Sequence, residues 1–165
     1  MAEAFNERNL TGDKAARYAE AAREIAAVLE GEPDRTAMMA TVAAMLHQSF
    51  GHYFWTGFYV ADPAKPGELV VGPYQGTLGC LRIPFGRGVC GTAAAERRTV
   101  LVEDVEAFPG HIACDSRSRS EIVTPVFDAT GALIAVFDVD SEQPAAFDET
   151  DRAGIETILR QVFGA

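Results

Sequence analysis

The chain has 165 residues, enough for one domain with a sizeable core, and 48% of them are hydrophobic, the level of an ordinary globular protein. A net charge of −10 argues against a nucleic-acid partner, which needs a basic face, and against anionic membrane surfaces. No apolar run reaches 18 residues, and MAEAFNERNL lacks a basic stretch followed by an apolar one, so neither a membrane span nor a secretory signal is expected and the cytoplasm is the default compartment.

Residues 13–30 read as a helix, with Asp13 as N-cap, Gly31 just past the end, and Ala15, Tyr18, Ala22, Ile25 and Leu29 forming one apolar stripe. The 12 residues from the N-terminus read as a flexible lead. A second helix is expected over 34–49, after Pro33, with Met38, Val42 and Met45 on one face. YFWTGFYV (53–60) is aromatic and β-branched, hence a strand. ADPAKPGE is a turn, and LVVGPY (69–74) is the next strand. QGTLGCLRIPFGRGVCG (75–91) holds five glycines and a proline and reads as loop, with a short strand at 81–83. A short helix over 91–98 and a strand at TVLVEDV follow. Residues 106–120 read as a long irregular loop. EIVTPVF and ALIAVFDVDS form a hairpin around DATG, and Asp148 caps a last helix over 149–163 whose stripe is Ile155, Ile158, Leu159 and Val162.

Strands grouped together with helices at both ends argue an α+β domain: a central antiparallel sheet, terminal helices on one face, and the glycine-rich and cysteine-bearing loops covering the other. Loops longer than about 12–15 residues in a compact domain are usually functional. Both long loops here carry cysteines.

There are three cysteines, Cys80, Cys90 and Cys114. An odd number in a reduced compartment is not a disulfide framework. Cys80 and Cys90 would lie roughly 33–36 Å apart if extended, but Pro84, Gly86 and Gly88 let the chain fold back. Cys90 precedes the short helix, and a helix N-terminus favours thiolate, so local physics selects Cys90 as the reactive thiol. Cys114 lies in HIACDSRSRSE, where His111, Arg117 and Arg119 would favour a thiolate too. The plain alternative for each is a small buried hydrophobe. A Cys3His zinc site with His111 is a further reading, although the spacing lacks the close cysteine pairs such sites use.

Alternation puts Asp138 and Asp140 on the same strand face, and antiparallel pairing would bring Glu121 beside them. Either this is a strand end emerging into solvent, or it is an acidic pocket. Such a pocket would hold an ammonium group, and crowding would keep one carboxyl protonated at neutral pH. Trp55 and Tyr59 share a face of their strand. They are either core, as expected for Phe54 and Phe58, or the wall of a site for an apolar ligand tail.

GCLRIPFGRGVCGTAAA, AFPGHIACDSRSRSEIVTPVF and IAVFDVDS resemble the free methionine-(R)-sulfoxide reductases, which are single GAF-domain enzymes. The resemblance runs from about Tyr18 to the end. It implies one GAF domain spanning residues 1–165, free L-methionine (R)-S-oxide as substrate, no cofactor and no metal. It implies that Cys114 attacks and Cys80 resolves, while Cys90 can join disulfide exchange. It also implies that Trp55, Glu121, Asp138 and Asp140 bind substrate. On this view Tyr59 shares Trp55's wall, loop amides near 116–119 take the α-carboxylate, and thioredoxin is the reductant. The resemblance further implies a homodimer through the terminal helices, although the stripe of the first helix would serve equally for packing on the sheet. The contrasting reading is a GAF module that binds a small molecule without turnover.

Overall fold

The structure is a computed structural model and describes residues 10–164. Its elements are α1 (Lys14–Val28), α2 (Arg35–Ser49), β1 (Trp55–Ala61), β2 (Glu68–Gln75), β3 (Arg82–Pro84), α3 (Gly88–Glu96), β4 (Val100–Val102), β5 (Ser120–Phe127), β6 (Leu133–Ser141) and α4 (Glu149–Phe163), with a 3-10 turn at Val105–Ala107. The six strands form one antiparallel sheet in the order β3-β2-β1-β6-β5-β4. This is the expected α+β architecture. The expected lead of residues 1–12 falls mostly outside the described residues, and Leu10 packs on the core.

The terminal helices are fixed by short-range chemistry. Asp13 accepts from Ala16 N at 2.8 Å, Asp34 accepts from Ala37 N at 2.8 Å, and Asp148 with Asp151 closes a reciprocal capping box on α4. Ile25, Leu46, Phe58, Phe137, Val139, Ile155 and Ile158 fill a core between α1, α2, α4 and one face of the sheet. Alternation along β1, β5 and β6 sends the other side chains to the opposite face. There Trp55, Tyr59, Val123 and Val136 meet α3 through Val89, Cys90, Ala93 and Ala94. The sheet is therefore buried on both faces.

Two boundaries and one buried stripe differ from expectation. The helix expected over 91–98 begins at Gly88, so Cys90 lies in its first turn rather than ahead of it. The turn is tight: a Cβ on Gly91 would stand 2.3 Å from Pro84 O, a contact only glycine permits. The strand expected through Val105 stops at Val102, because Asp104 accepts from Glu106 N at 3.0 Å and turns the chain into the 3-10 turn. On α1, Ala15 is exposed and Ala21 takes its place in the buried stripe.

Candidate active site

Register builds a row of side chains across the second face. Trp55 on β1 lies opposite Asp140 on β6, which lies opposite Glu121 on β5. One step along, Gly57, Asp138 and Val123 form the next row. Gly57 has no room for a side chain, since a Cβ there would lie 2.2 Å from Tyr74 Cβ. With that gap empty, Trp55 stacks between Tyr59 and Tyr74, with ring centroids 5.5 and 5.0 Å away. Three carboxyls and an aromatic wall thus meet on one patch, as the acidic-pocket reading requires.

The cover loops close over this patch. Cys80 and Cys114 are joined in a disulfide with Cα atoms 5.5 Å apart. This removes two of the three thiols a Cys3His zinc set would need. Cys90 remains a free thiol, buried beneath the bridge. The cleft is lined by Trp55, Tyr59, Cys90, Cys114, Glu121, Asp138 and Asp140 among others, and encloses a cavity of about 40 Å³. Every residue assigned to the site from sequence is brought there except Cys80, which closes it through its bond to Cys114.

Local electrostatics reverse the expectation for Cys90. Its helix position favours thiolate, but burial first, then Asp138 and Glu121, push the thiol well above its ordinary value. Its Sγ is 4.0 Å from Glu121 Oε1. The sulfur and one carboxylate oxygen each of Glu121 and Asp138 fall within 4.8 Å of one another. The carboxyls shift upward as well. Burial dominates at Glu121, with Asp140 adding to it; burial dominates at Asp138, with Glu121 adding; and burial dominates at Asp140, with Asp138 adding. Asp140 keeps some exposure at the mouth, yet protein atoms crowd its carboxyl closely enough for burial to remain the largest cause. Among the described residues Asp138 Oδ1 has no hydrogen-bond partner. A buried acceptor of this kind is costly unless a ligand completes it.

The cations near Cys114 in sequence are engaged elsewhere. His111 Nε2 is 3.5 Å from Glu121 Oε2, and burial lowers its basicity. Arg117 bonds Asp115 at 2.9 Å and lays its guanidinium 4.6 Å above the Phe54 ring. Phe54 is therefore a half-exposed platform rather than core. The Arg117 guanidinium in turn holds the Asp115 carboxyl well below the usual carboxylate range.

Two features escaped the sequence reading. Thr77 and Asp115 clasp the two cover loops: Thr77 Oγ1 donates to Asp115 Oδ2 at 2.8 Å, and Thr77 O accepts from Trp55 Nε1 at 2.9 Å. The only sequence signal was Asp115-x-Arg117, an Asx-turn pattern in which Asp115 accepts from Arg117 N. The second concerns anion binding. Among the amides expected to take a carboxylate, Arg117 N is bonded to Asp115, Ser118 N to Asp115 O and Arg119 N to Ser141 O. By contrast α3 starts at the pocket edge with no side-chain cap, and Arg87, Gly88 and Val89 line the cleft there.

Among the described residues, no helix is long and apolar enough to cross a membrane. The family description "GAF domain" matches residues 15–165. The chain is 40% identical to the free methionine-R-sulfoxide reductase of Escherichia coli over 88% of this chain and 86% of that protein. It superposes with a TM-score of 0.87 on the free methionine-R-sulfoxide reductase of Neisseria meningitidis solved with its substrate, at 50% identity over 92% of this chain and 89% of that one. A Burkholderia vietnamiensis protein described as a GAF sensor is similar to the same degree, with a TM-score of 0.87 at 49% identity over 92% and 94% of the two chains.

Proposed function

The chain belongs to the GAF-domain family and within it to the free methionine-R-sulfoxide reductases, and on that footing we propose that it reduces free L-methionine (R)-S-oxide through a sulfenic acid on Cys114 and the Cys80–Cys114 disulfide. The observation that carries this reading is the disulfide itself, closed over a floor of three carboxyls with raised proton affinity.

In the reduced enzyme the Cys114 thiolate attacks the sulfoxide sulfur. A protonated carboxyl of the Glu121, Asp138 and Asp140 group donates to the sulfoxide oxygen, methionine leaves, and Cys114 becomes a sulfenic acid. The Cys80 thiolate displaces water from it and forms the disulfide. One sulfoxide and two thiols yield one thioether, one disulfide and one water. An external dithiol, thioredoxin in this reading, restores both thiols by exchange. Which carboxyl holds the proton is a property of the coupled group. Cys90, buried and held neutral, enters exchange only after Cys80.

Substrate recognition follows the lining. Trp55 and Tyr59 wall the methylthio end. Ionised members of the carboxyl group take the α-ammonium, and Asp138 Oδ1 supplies an acceptor that needs a partner. The uncapped first turn of α3 with Arg87 takes the α-carboxylate in place of the 116–119 amides. A methionine sulfoxide within a peptide lacks both charged termini. A cycling disulfide beside a free buried thiol suits a reducing compartment, the cytoplasm. A homodimer through terminal helices would have to use residues such as Ala15 and Ala19, because Tyr18, Ala21, Ala22 and Ile25 are spent on the protein's own core.

The test is single-turnover chemistry on fully reduced protein. One equivalent of free L-methionine (R)-S-oxide should release about one methionine and consume two thiols per chain. Cys114→Ser should release none. Cys80→Ser should release about one methionine and then stall with thioredoxin as reductant. Full multiple turnover by Cys114→Ser would defeat the assignment, and binding without thiol loss in the wild type would leave the sensor reading instead.

A further inference from the structure

On the reductase reading just given, turnover ends with Cys80 and Cys114 oxidised, so electrons must reach their sulfurs from outside the chain. Cys114 is exposed and Cys80 is half-buried. The surface around them is unlike the rest of the molecule. Large exposed hydrophobics among the described residues are Val28, Leu78, Leu81 and Ile112, and the last three flank the bridge. Leu81 adjoins Cys80, Leu78 precedes Cys80 by two residues, and Ile112 precedes Cys114 by two. Consecutive Cα atoms lie 3.8 Å apart, so these three backbones sit within about 8 Å of the half-cystines. Leu78 is 77% and Leu81 69% exposed, values that a side chain serving only the fold does not require.

The rim adds charge. The chain carries a net −10, yet the mouth of the cleft presents Arg87, while nearby Arg117 is paired with Asp115. Arg82, next to Leu81, is paired with Asp62 and Glu68. A partner with an acidic rim, repelled by most of this surface, would be accepted there. A small thiol needs neither apolar contact nor charge to reach an exposed sulfur.

We propose that Leu78, Leu81 and Ile112, with Arg87 beside them, form the docking surface for a protein dithiol whose cysteines lie in an apolar face with an acidic rim. A partner thiolate attacks one sulfur of the bridge and the other leaves as thiolate. The partner's second thiol then attacks the mixed disulfide, so the partner ends as a disulfide and Cys80 and Cys114 as thiols. Leu81 carries the test, because Leu78 and Ile112 also line the substrate cleft.

The experiment compares wild type with Leu81→Glu in steady-state turnover of free L-methionine (R)-S-oxide, once with a bacterial thioredoxin recycled by its reductase and once with dithiothreitol. Leu81→Glu should raise the KM for thioredoxin by about tenfold or more while leaving dithiothreitol-supported turnover unchanged, which also shows that the variant is folded. An unchanged KM for thioredoxin, a wild type that thioredoxin does not reduce, or an equal loss with both reductants would overturn the docking surface. A wild type inactive with dithiothreitol would overturn the reductase reading itself, and the docking surface with it.

Discussion

Asp138 is 5% exposed on β6, with one oxygen unpartnered and Glu121 close by. Burial first and Glu121 second raise its proton affinity well above the ordinary carboxyl value. The folded state therefore holds a proton that the unfolded chain has released, from the unfolded pKa upward to the folded one. Since the unfolding free energy changes with pH as protons bound unfolded minus protons bound folded, this group makes stability fall as pH rises through that window. Below the unfolded value both states are protonated and the penalty disappears. Asp138→Asn keeps the shape and removes the titration. Its melting temperature relative to wild type should rise by several degrees between pH 4 and pH 8, while turnover falls at least tenfold through loss of the ammonium and proton contacts. A melting difference that stays flat with pH would show that Asp138 titrates normally. Cys90 carries the same lesson, its thiol pKa raised by burial and the same acids. Its place in a helix turn was readable from GRGVCG, but the three acids that decide its charge come from β5 and β6, and one-dimensional spacing carries no trace of their approach.

At the scale of elements, what was legible followed local rules. Asp13 and Asp148 cap their helices as expected because capping is an interaction over three residues. Alternation put Asp138 with Asp140 and Trp55 with Tyr59, and the register then set Trp55, Asp140 and Glu121 in one row. Start points governed by close approach were not legible. The helix starts at Gly88 rather than Gly91, and residue 91 must be glycine because Pro84 O occupies the space where a Cβ would stand, with Gly86 N returning to Gly91 O at 2.7 Å. Gly91→Ala thus opposes two effects. Alanine gains about 1 kcal/mol of helix propensity, but the clash at 2.3 Å is with backbone and must push α3 away from β3. Overpacking of this kind costs about 1–3 kcal/mol, so the net change is destabilising. Because Cys90 is the only thiol left in the disulfide form, its alkylation by iodoacetamide reports the displacement directly. Gly91→Ala should melt lower and label faster than wild type, and unchanged labelling would mean that the turn absorbs the methyl group elsewhere.

At the scale of the molecule, the sheet separates two functions. The helical face holds the fold together through its own core and a buried polar tie in which Tyr18 donates to Asp151 at 2.7 Å and Lys14 reaches the same carboxylate at 2.7 Å. The opposite face is roofed by two loops whose covalent link is the Cys80–Cys114 bond, 34 residues apart in sequence. Closing a loop of that length limits the unfolded chain by about 3–4 kcal/mol in the chain-entropy account. Reduction should therefore lower the melting temperature by roughly 10 °C for a domain of this size. The bridge also sets the volume beneath it. It draws the two cover loops together over the carboxyls and narrows the cleft between them. On the proposed mechanism the same bond that stabilises the resting protein ties up the attacking sulfur, and the expectation is that it also gates the cleft. Calorimetric titration with free L-methionine (R)-S-oxide should show no binding to the oxidised protein. A Cys114→Ser variant, which cannot form the bridge or turn the ligand over, should bind it. Equal binding by both forms would mean that the roof opens without reduction, and the disulfide would then serve only to carry electrons rather than to gate the pocket.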